Sequence, residues 1–504
     1  MDVSRDDQDC LEISGGGQEP PNGLTLQNNE DISVSGNRQS SEEDQLETLD
    51  DLSEFEPFEN TPSSSSLTPD QQRDSALLPA TRTVRNLPPA LDALGRISLG
   101  SSFESLFLSH FTEVFGCSDS TTDVCAWVHL LPDLTTRSRH GAKSDALVTQ
   151  WSIRASSMAL YGALTKDPSF QQDACRWYAK SLNLQQHILV ANYGASDTHA
   201  KGGRHTSNAQ SRKLYSLLVP PLMMCYYEIV TGSRNDGESD PAWGVHMEGA
   251  ARILKLLGGP RALRSSGSHV ARELYRTIRL GVLCTSTGKG TSHFFSDKEW
   301  IDQALSKSHK RPFDYLIDIL ICLPRYLEQY RLIATLQTER MLPNLEACIS
   351  SDILDRLDTW QQQNKESILS FSESLVRAPL SEHRVLLSAI RVKNISAYVL
   401  TAFCFAGYVY AYRILHDYSL IKQLQNSQNK EDKAIGYLEQ QSRYSDALLS
   451  IFIINRSATG NTHWAFPLMV VSSMALTSSQ RELATHCLET LGKNAGVGSL
   501  EKVF

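Results

Sequence analysis

From Ile97 onward the apolar residues of this chain recur with helical spacing. Phe103, Phe107, Phe111 and Phe115 lie four apart, flanked by Leu106 and Leu108, and give one helix an aromatic face. Residues 146–164 are rich in Ala, Leu and Met, the composition of a core helix. Residues 171–189 carry Trp177, Leu184 and Ile188 at i, i+7 and i+11. After a Gly/Ser/His-rich loop at 193–212, residues 214–230 are helical, with Pro220 and Pro221 predicting a kink or a restart. A Gly/Ser/Asn/Asp loop at 231–241 precedes a helix at 243–257, which Gly258, Gly259 and Pro260 are expected to stop. Further helices are predicted at 271–283, 313–322, 326–337, 342–364, 382–416, 433–455 and 479–491. No alternating run is bounded by hairpin turns, so strands should be few. The predicted class is all-α.

Residues 1–95 have a different pattern. They are poor in β-branched and aromatic residues and rich in Ser, Gly, Pro, Asp and Glu. Such a segment cannot bury enough apolar surface to offset its ordering entropy, and a disordered acidic tail is expected. Its first 60 residues hold 17 carboxylates against Arg5 and Arg38, a charge of −15. The whole chain carries −9, which leaves +6 for the remainder. One stretch within the tail, 45–60, sets Leu46, Leu49, Leu52, Phe55 and Phe58 three apart among carboxylates. This spacing allows an amphipathic helix as far as Phe55, ended by Pro57. The composition is that of an acidic-hydrophobic activation segment that folds onto a partner; a solvating tail with chance hydrophobics is the alternative.

The ten cysteines are scattered and include no Cys-x-x-Cys pair. The acidic N-terminus does not read as a signal peptide, so reduced thiols in the cytosol or nucleus are expected. Residues 396–412 are apolar enough to suggest a membrane span, but they are Tyr-rich and sit between Lys393 and Arg413, so a buried core helix is the expectation. His199 and His205, with Asp197, fall in a loop without rigid geometry and read as surface. His246 reads as a packed, hydrogen-bonded histidine rather than a ligand or base. Gly288–Gly290 lacks the rest of a nucleotide loop, and no nucleophile elbow or zinc-protease signature occurs. The basic run 307–312 reads as a solvated helix cap, with a weak nuclear import signal as the alternative. No catalytic, cofactor-binding or metal-binding residue is predicted.

The segment 243–260, WGVHMEGAARILKLLGGP, places Met247, Ala250, Ile253, Leu254 and Leu257 in one apolar stripe. Gly249 and Ala250 are expected to let another helix approach closely. The pattern of Trp243, His246, Gly249 and Ala250, followed by a Leu-rich stretch ending at Gly259 and Pro260, resembles the signature of the fungal-specific transcription factor domain. Flanking features follow in the family's order. The aromatic region 103–115 and the Ala-rich 146–164 come first. WYAKSLNLQQ at 177–186 and the helix reaching Glu228 follow. WAFPL, with Trp464 and Pro467, comes near the end. The resemblance implies a helical regulatory domain over 96–495, working in the nucleus on a metabolic or biosynthetic gene set, secondary metabolism among them. It also implies partners: a DNA-binding transcription factor or co-activator, with homo- or heterodimers allowed. Members typically place a six-cysteine binuclear zinc cluster ahead of this domain. Here Cys10 is the only cysteine before Cys117, so no zinc-cluster contact with DNA is expected from these residues. No membrane association is expected. The competing readings are a helical enzyme and a small-molecule sensor with an interior pocket, which the aromatic residues 403–412 could line.

Overall fold

The computed structural model describes residues 99–115, 126–132, 134, 143–193, 207–232, 241–266, 269–336, 344–365, 372–389, 395–425, 431–455 and 462–494. The chain divides into two units, Met1–Ala90 and Leu91–Phe504. The first lies outside the described residues, and with it the predicted tail and the activation segment Leu46, Leu49, Leu52, Phe55 and Phe58. Among the described residues every regular element is helical.

The second unit begins with α1 (Leu99–Phe115), a 3₁₀ turn at Ala126–Leu130, α2 (Lys143–Thr165), α3 (Pro168–Tyr193) and α4 (Ser207–Thr231). Phe107, Phe111 and Phe115 of α1 pack as their spacing demands. Phe107 meets Tyr161 of α2 at a ring separation of 5.0 Å, and Phe115 meets Tyr226 of α4 at 4.7 Å. Helix α4 is one continuous helix with Pro220 and Pro221 inside it, neither ended nor restarted there. Each proline costs the helix a hydrogen bond and a steric clash, about 3 kcal/mol. The complete burial of Leu218, Val219, Leu222 and Met223 offsets that cost.

Next come α5 (Ala242–Leu256), α6 (Gly259–Ser266), α7 (His269–Lys289), a 3₁₀ turn at Phe294–Ser296, α8 (Lys298–Gln303), α9 (Pro312–Leu320) and α10 (Leu323–Leu336). The predicted 342–364 helix is interrupted. It comprises α11 (Leu345–Cys348), a π-helical turn Ile349–Leu354 and α12 (Asp355–Gln363). The remaining elements are α13 (Ser372–Arg377), α14 (Leu380–Ala389), α15 (Ile395–Gln425), α16 (Glu431–Asn455), a 3₁₀ turn Thr462–Trp464, α17 (Ala465–Met474) and α18 (Ser478–Asn494). The predicted 382–416 helix is thus two, α14 and α15. Periodicity alone could not separate them.

Helix α15 is the axis of the C-terminal half. It packs along α16 and against α9, α10, α12 and α17. Ala402 through Ala406 and Tyr408 through Ala411 are all at most 1% exposed. By length and composition Leu214–Thr231 and Ala397–Gln423 could each cross a membrane, but 78% and 89% of them are buried inside the protein. They are core helices. The α15 rings 403–412 pack on protein: Phe403 stacks on Phe466 at 5.1 Å, and Tyr408 on Tyr444 of α16 at 4.3 Å.

Candidate functional site

Helix α5 carries most of the recognisable sequence pattern, and three helices hold it in place. Its first turn is closed by Pro241, whose carbonyl accepts from the Gly244 amide at 2.8 Å. Trp243 is 5% exposed and Ala250 fully buried. Of the two positions expected to admit a close neighbour, Ala250 is buried in the core and Gly249 is not. A Cβ on Gly249 would meet nothing within 4 Å. The tight crossing is between α5 and α7. A Cβ on Gly244 would lie 2.9 Å from Thr285 Cγ2, and one on Gly281 would lie 2.7 Å from Met247 Sδ. One glycine from each helix makes this contact. Gly249 and Ala250 are adjacent but point to opposite environments, one open and one core.

His246 is a packed histidine that joins α5 to α3 and α4. Its Nε2 shares a 2.9 Å hydrogen bond with the Tyr178 hydroxyl of α3 and lies 3.9 Å from Glu228 Oε1 of α4. The Tyr178 ring stacks on Tyr227 at 4.2 Å. Burial, reinforced by the Glu228 carboxylate, pushes the Tyr178 phenol well above its ordinary pKa, so it stays protonated and can donate. This cluster fixes the relative rotation of three helices.

The end of α5 needs left-handed backbone. Leu257 donates back to Ile253 at 2.9 Å, and Gly258 and Gly259 then take φ of +106° and +59°. Residues with a Cβ rarely adopt such angles. The same residues also open α6, with Pro260 in its first turn, where a missing amide costs nothing. Near the C-terminus Trp464 is fully buried, edge-on to Phe452 at 5.4 Å. Pro467 sits in the first turn of α17.

The densest polar feature was not read from the sequence. Glu273, Arg276 and Arg279 of α7 face Asp314 and Asp318 of α9, and the turn before α9 adds Lys310 and Arg311. Arg276 Nη2 meets Asp314 Oδ2 at 2.8 Å and Arg276 Nη1 meets Glu273 Oε1 at 2.6 Å. Arg279 bridges Asp314 at 3.0 Å and Asp318 at 2.5 Å. Lys310 reaches Asp318 at 2.6 Å and Arg311 reaches Glu273 at 2.6 Å. Glu273 is fully buried and Asp314 nearly so. Burial pushes the Asp314 carboxyl up, but the Arg279 and Arg276 guanidiniums outweigh it and hold the pKa below its ordinary value. At Asp318 burial outweighs Arg279 and Lys310, and the pKa is raised. Within the basic run 307–312, Lys307, Ser308 and His309 are exposed and Arg311 is the N-cap of α9, as a solvated cap would have it, but two of its cations are not left to solvent. Lys310 and Arg311 are committed inward as counter-ions, and Pro312 opens α9. The available signal was two carboxylates four apart in the otherwise apolar PFDYLIDIL, which burial obliges to find cations.

Among the described residues no group of three His, Cys, Asp or Glu side chains could hold a metal ion. Asp197, His199 and His205 lie outside the described residues.

The profile of the fungal specific transcription factor domain matches residues 155–504. The chain belongs to this family. Comparisons with curated proteins and with solved structures found no match. The matched span begins within α2, whereas the sequence reading placed the domain start at 96. Helix α1 packs its rings onto Tyr161 and Tyr226, inside that span.

Proposed function

We propose that this chain is a nuclear transcriptional regulator that acts through protein partners. The observation that carries the reading is the family match over 155–504. The 504 residues contain no Cys-x-x-Cys pair from which a binuclear zinc cluster could be built. On this reading the protein reaches promoters on a DNA-binding partner or co-activator, as a homo- or heterodimer or as a single copy. It controls a metabolic or biosynthetic gene set, and the acidic segment 45–60 supplies activation. The His246 cluster and the α7–α9 charge network are scaffold in this reading: they hold the helices that present a binding surface.

The test is the genomic occupancy of the tagged full chain, beside the full chain carrying Leu49→Ala, Leu52→Ala and Phe55→Ala. The expected outcome is discrete promoter peaks for both, a partner's sequence pattern beneath them, and reporter output reduced severalfold by the substitutions. A chain that never enters the nucleus and occupies no promoter under any growth condition would overturn the regulator reading.

A further inference from the structure

One face of α5 has no partner within the described fold. Val245, Gly249, Arg252 and Leu256 follow each other at spacings of four, three and four, which aligns them in one stripe along the helix. Val245 is 57% and Leu256 62% exposed, among the most exposed large apolar side chains of the described residues. Between them Gly249 lies with open space where a Cβ would be. A mid-helix glycine costs roughly 1 kcal/mol relative to alanine, and no contact within this fold requires it. A glycine between two apolar residues on a helix face is suited to close approach by a second helix in ridge-and-groove packing. The inner face of the same helix is fixed by His246, Met247 and the crossing with α7, so the outer face is presented rigidly.

Charge indicates what would cover it. From 242 to 264 the chain has four cations, Arg252, Lys255, Arg261 and Arg264, and one carboxylate, Glu248. Glu248 pairs with Arg252 at 2.8 Å and lies 3.2 Å from His293, so Lys255, Arg261 and Arg264 are the excess positive charge of this stretch. We propose that the Val245–Gly249–Leu256 face of α5 is a docking surface for an acidic amphipathic helix of a partner protein. The apolar side chains of that helix would lie against Val245 and Leu256, its backbone would approach at Gly249, and its carboxylates would meet the α5–α6 cations. The biological role of this partner rests on the regulator reading. The contact itself is a solution property and is measured without it.

The test uses the full chain and a labelled synthetic helix about four turns long, with leucines on one face and glutamates elsewhere. A counterpart in which lysines replace the glutamates serves as control. Fluorescence anisotropy is expected to show saturable binding of the glutamate peptide at or below roughly 100 μM. Binding should be at least tenfold weaker for the lysine peptide, for Val245→Glu with Leu256→Glu, and for Gly249→Leu. Thermal melting of the variants should match or exceed that of the parent chain, since all three positions are open. No saturable binding, or equal binding by both peptides, would overturn the proposal. Unchanged binding by the Gly249→Leu and the double-glutamate variants would do the same. If sedimentation shows the parent chain associating with itself and Val245→Glu with Leu256→Glu abolishing it, the face belongs to a second copy, and the partner assignment fails. A chain that binds the peptide yet occupies no promoter separates failure of the regulator reading from failure of this one.

Discussion

At the scale of single residues, Asp314 matters most. It is almost completely buried and accepts from two guanidiniums, Arg276 and Arg279, as well as from the Arg311 amide at 2.9 Å. Removing one member of a buried charge set leaves the others in a low-dielectric interior without compensation. That costs about 3–5 kcal/mol. Asp314→Ala is therefore expected to lower thermal stability by this amount, read as a shift in the midpoint of chemical or thermal unfolding. Changing the exposed Arg377, whose contact with Glu373 is a surface pair at 3.5 Å, should move the midpoint by less than about 1 kcal/mol. If the two substitutions cost the same, the charge network is not the clamp its geometry describes. Lys310→Ala tests the same point from the other side. It should destabilise the fold, whereas a residue serving only as part of an import signal would leave unfolding unchanged.

At the scale of elements, three glycines predict three different outcomes. Helix α15 passes α9 and α12 at Gly407, where a Cβ would come 2.6 Å from Leu320 Cδ2 and 3.3 Å from Leu357. Gly407→Val overfills this crossing and is expected to cost at least about 1–3 kcal/mol. Gly244→Ala meets Thr285 at the α5–α7 crossing and should also destabilise, by less, because only one methyl group must be accommodated. Gly249→Ala should instead stabilise by roughly 0.5–1 kcal/mol, because it improves helix propensity and touches nothing. Denaturant midpoints of the three variants against the parent chain measure this order. A destabilised Gly249→Ala would place an unseen neighbour against α5.

At the scale of the whole molecule, burial sets the response to acid. His463 is buried before α17, and burial depresses its pKa from 6.5 to about 4. The fold thus favours neutral imidazole. The corresponding stability is complete above pH 6.5 and is lost as pH falls from 6.5 toward 4. It amounts to about 3 kcal/mol, at 1.36 kcal/mol per unit. Glu248 has its pKa depressed from 4.5 to about 2, chiefly by its hydrogen bond to His293, so its contribution is lost lower, between pH 4.5 and 2. Two stages of acid destabilisation are expected in unfolding free energy measured against pH. His463→Gln should flatten the upper one and leave the lower one in place. A single transition below pH 4.5 in the parent chain would contradict the buried neutral histidine.

Much of this organisation is already determined by the order of residue types. The Phe103–Phe115 repeat, the Ala-rich α2 and the Trp243–Pro260 segment each carry a period that fits a helix and no other element. Their sequence along the chain carries the family resemblance. The glycine pair at 258–259 marks a stop because few other residues reach the required φ. Periodicity acts within a single helix, so it says where a face is apolar and not what lies against it. Only tertiary structure decided that Gly244 rather than Gly249 meets a neighbour, and that Pro220 and Pro221 stay within one helix. It alone turned Lys310 and Arg311 inward: Arg311 meets Glu273 of α7, 38 residues away, only once the helices have packed, and Lys310 turns to Asp318 of α9 and the Ile301 carbonyl.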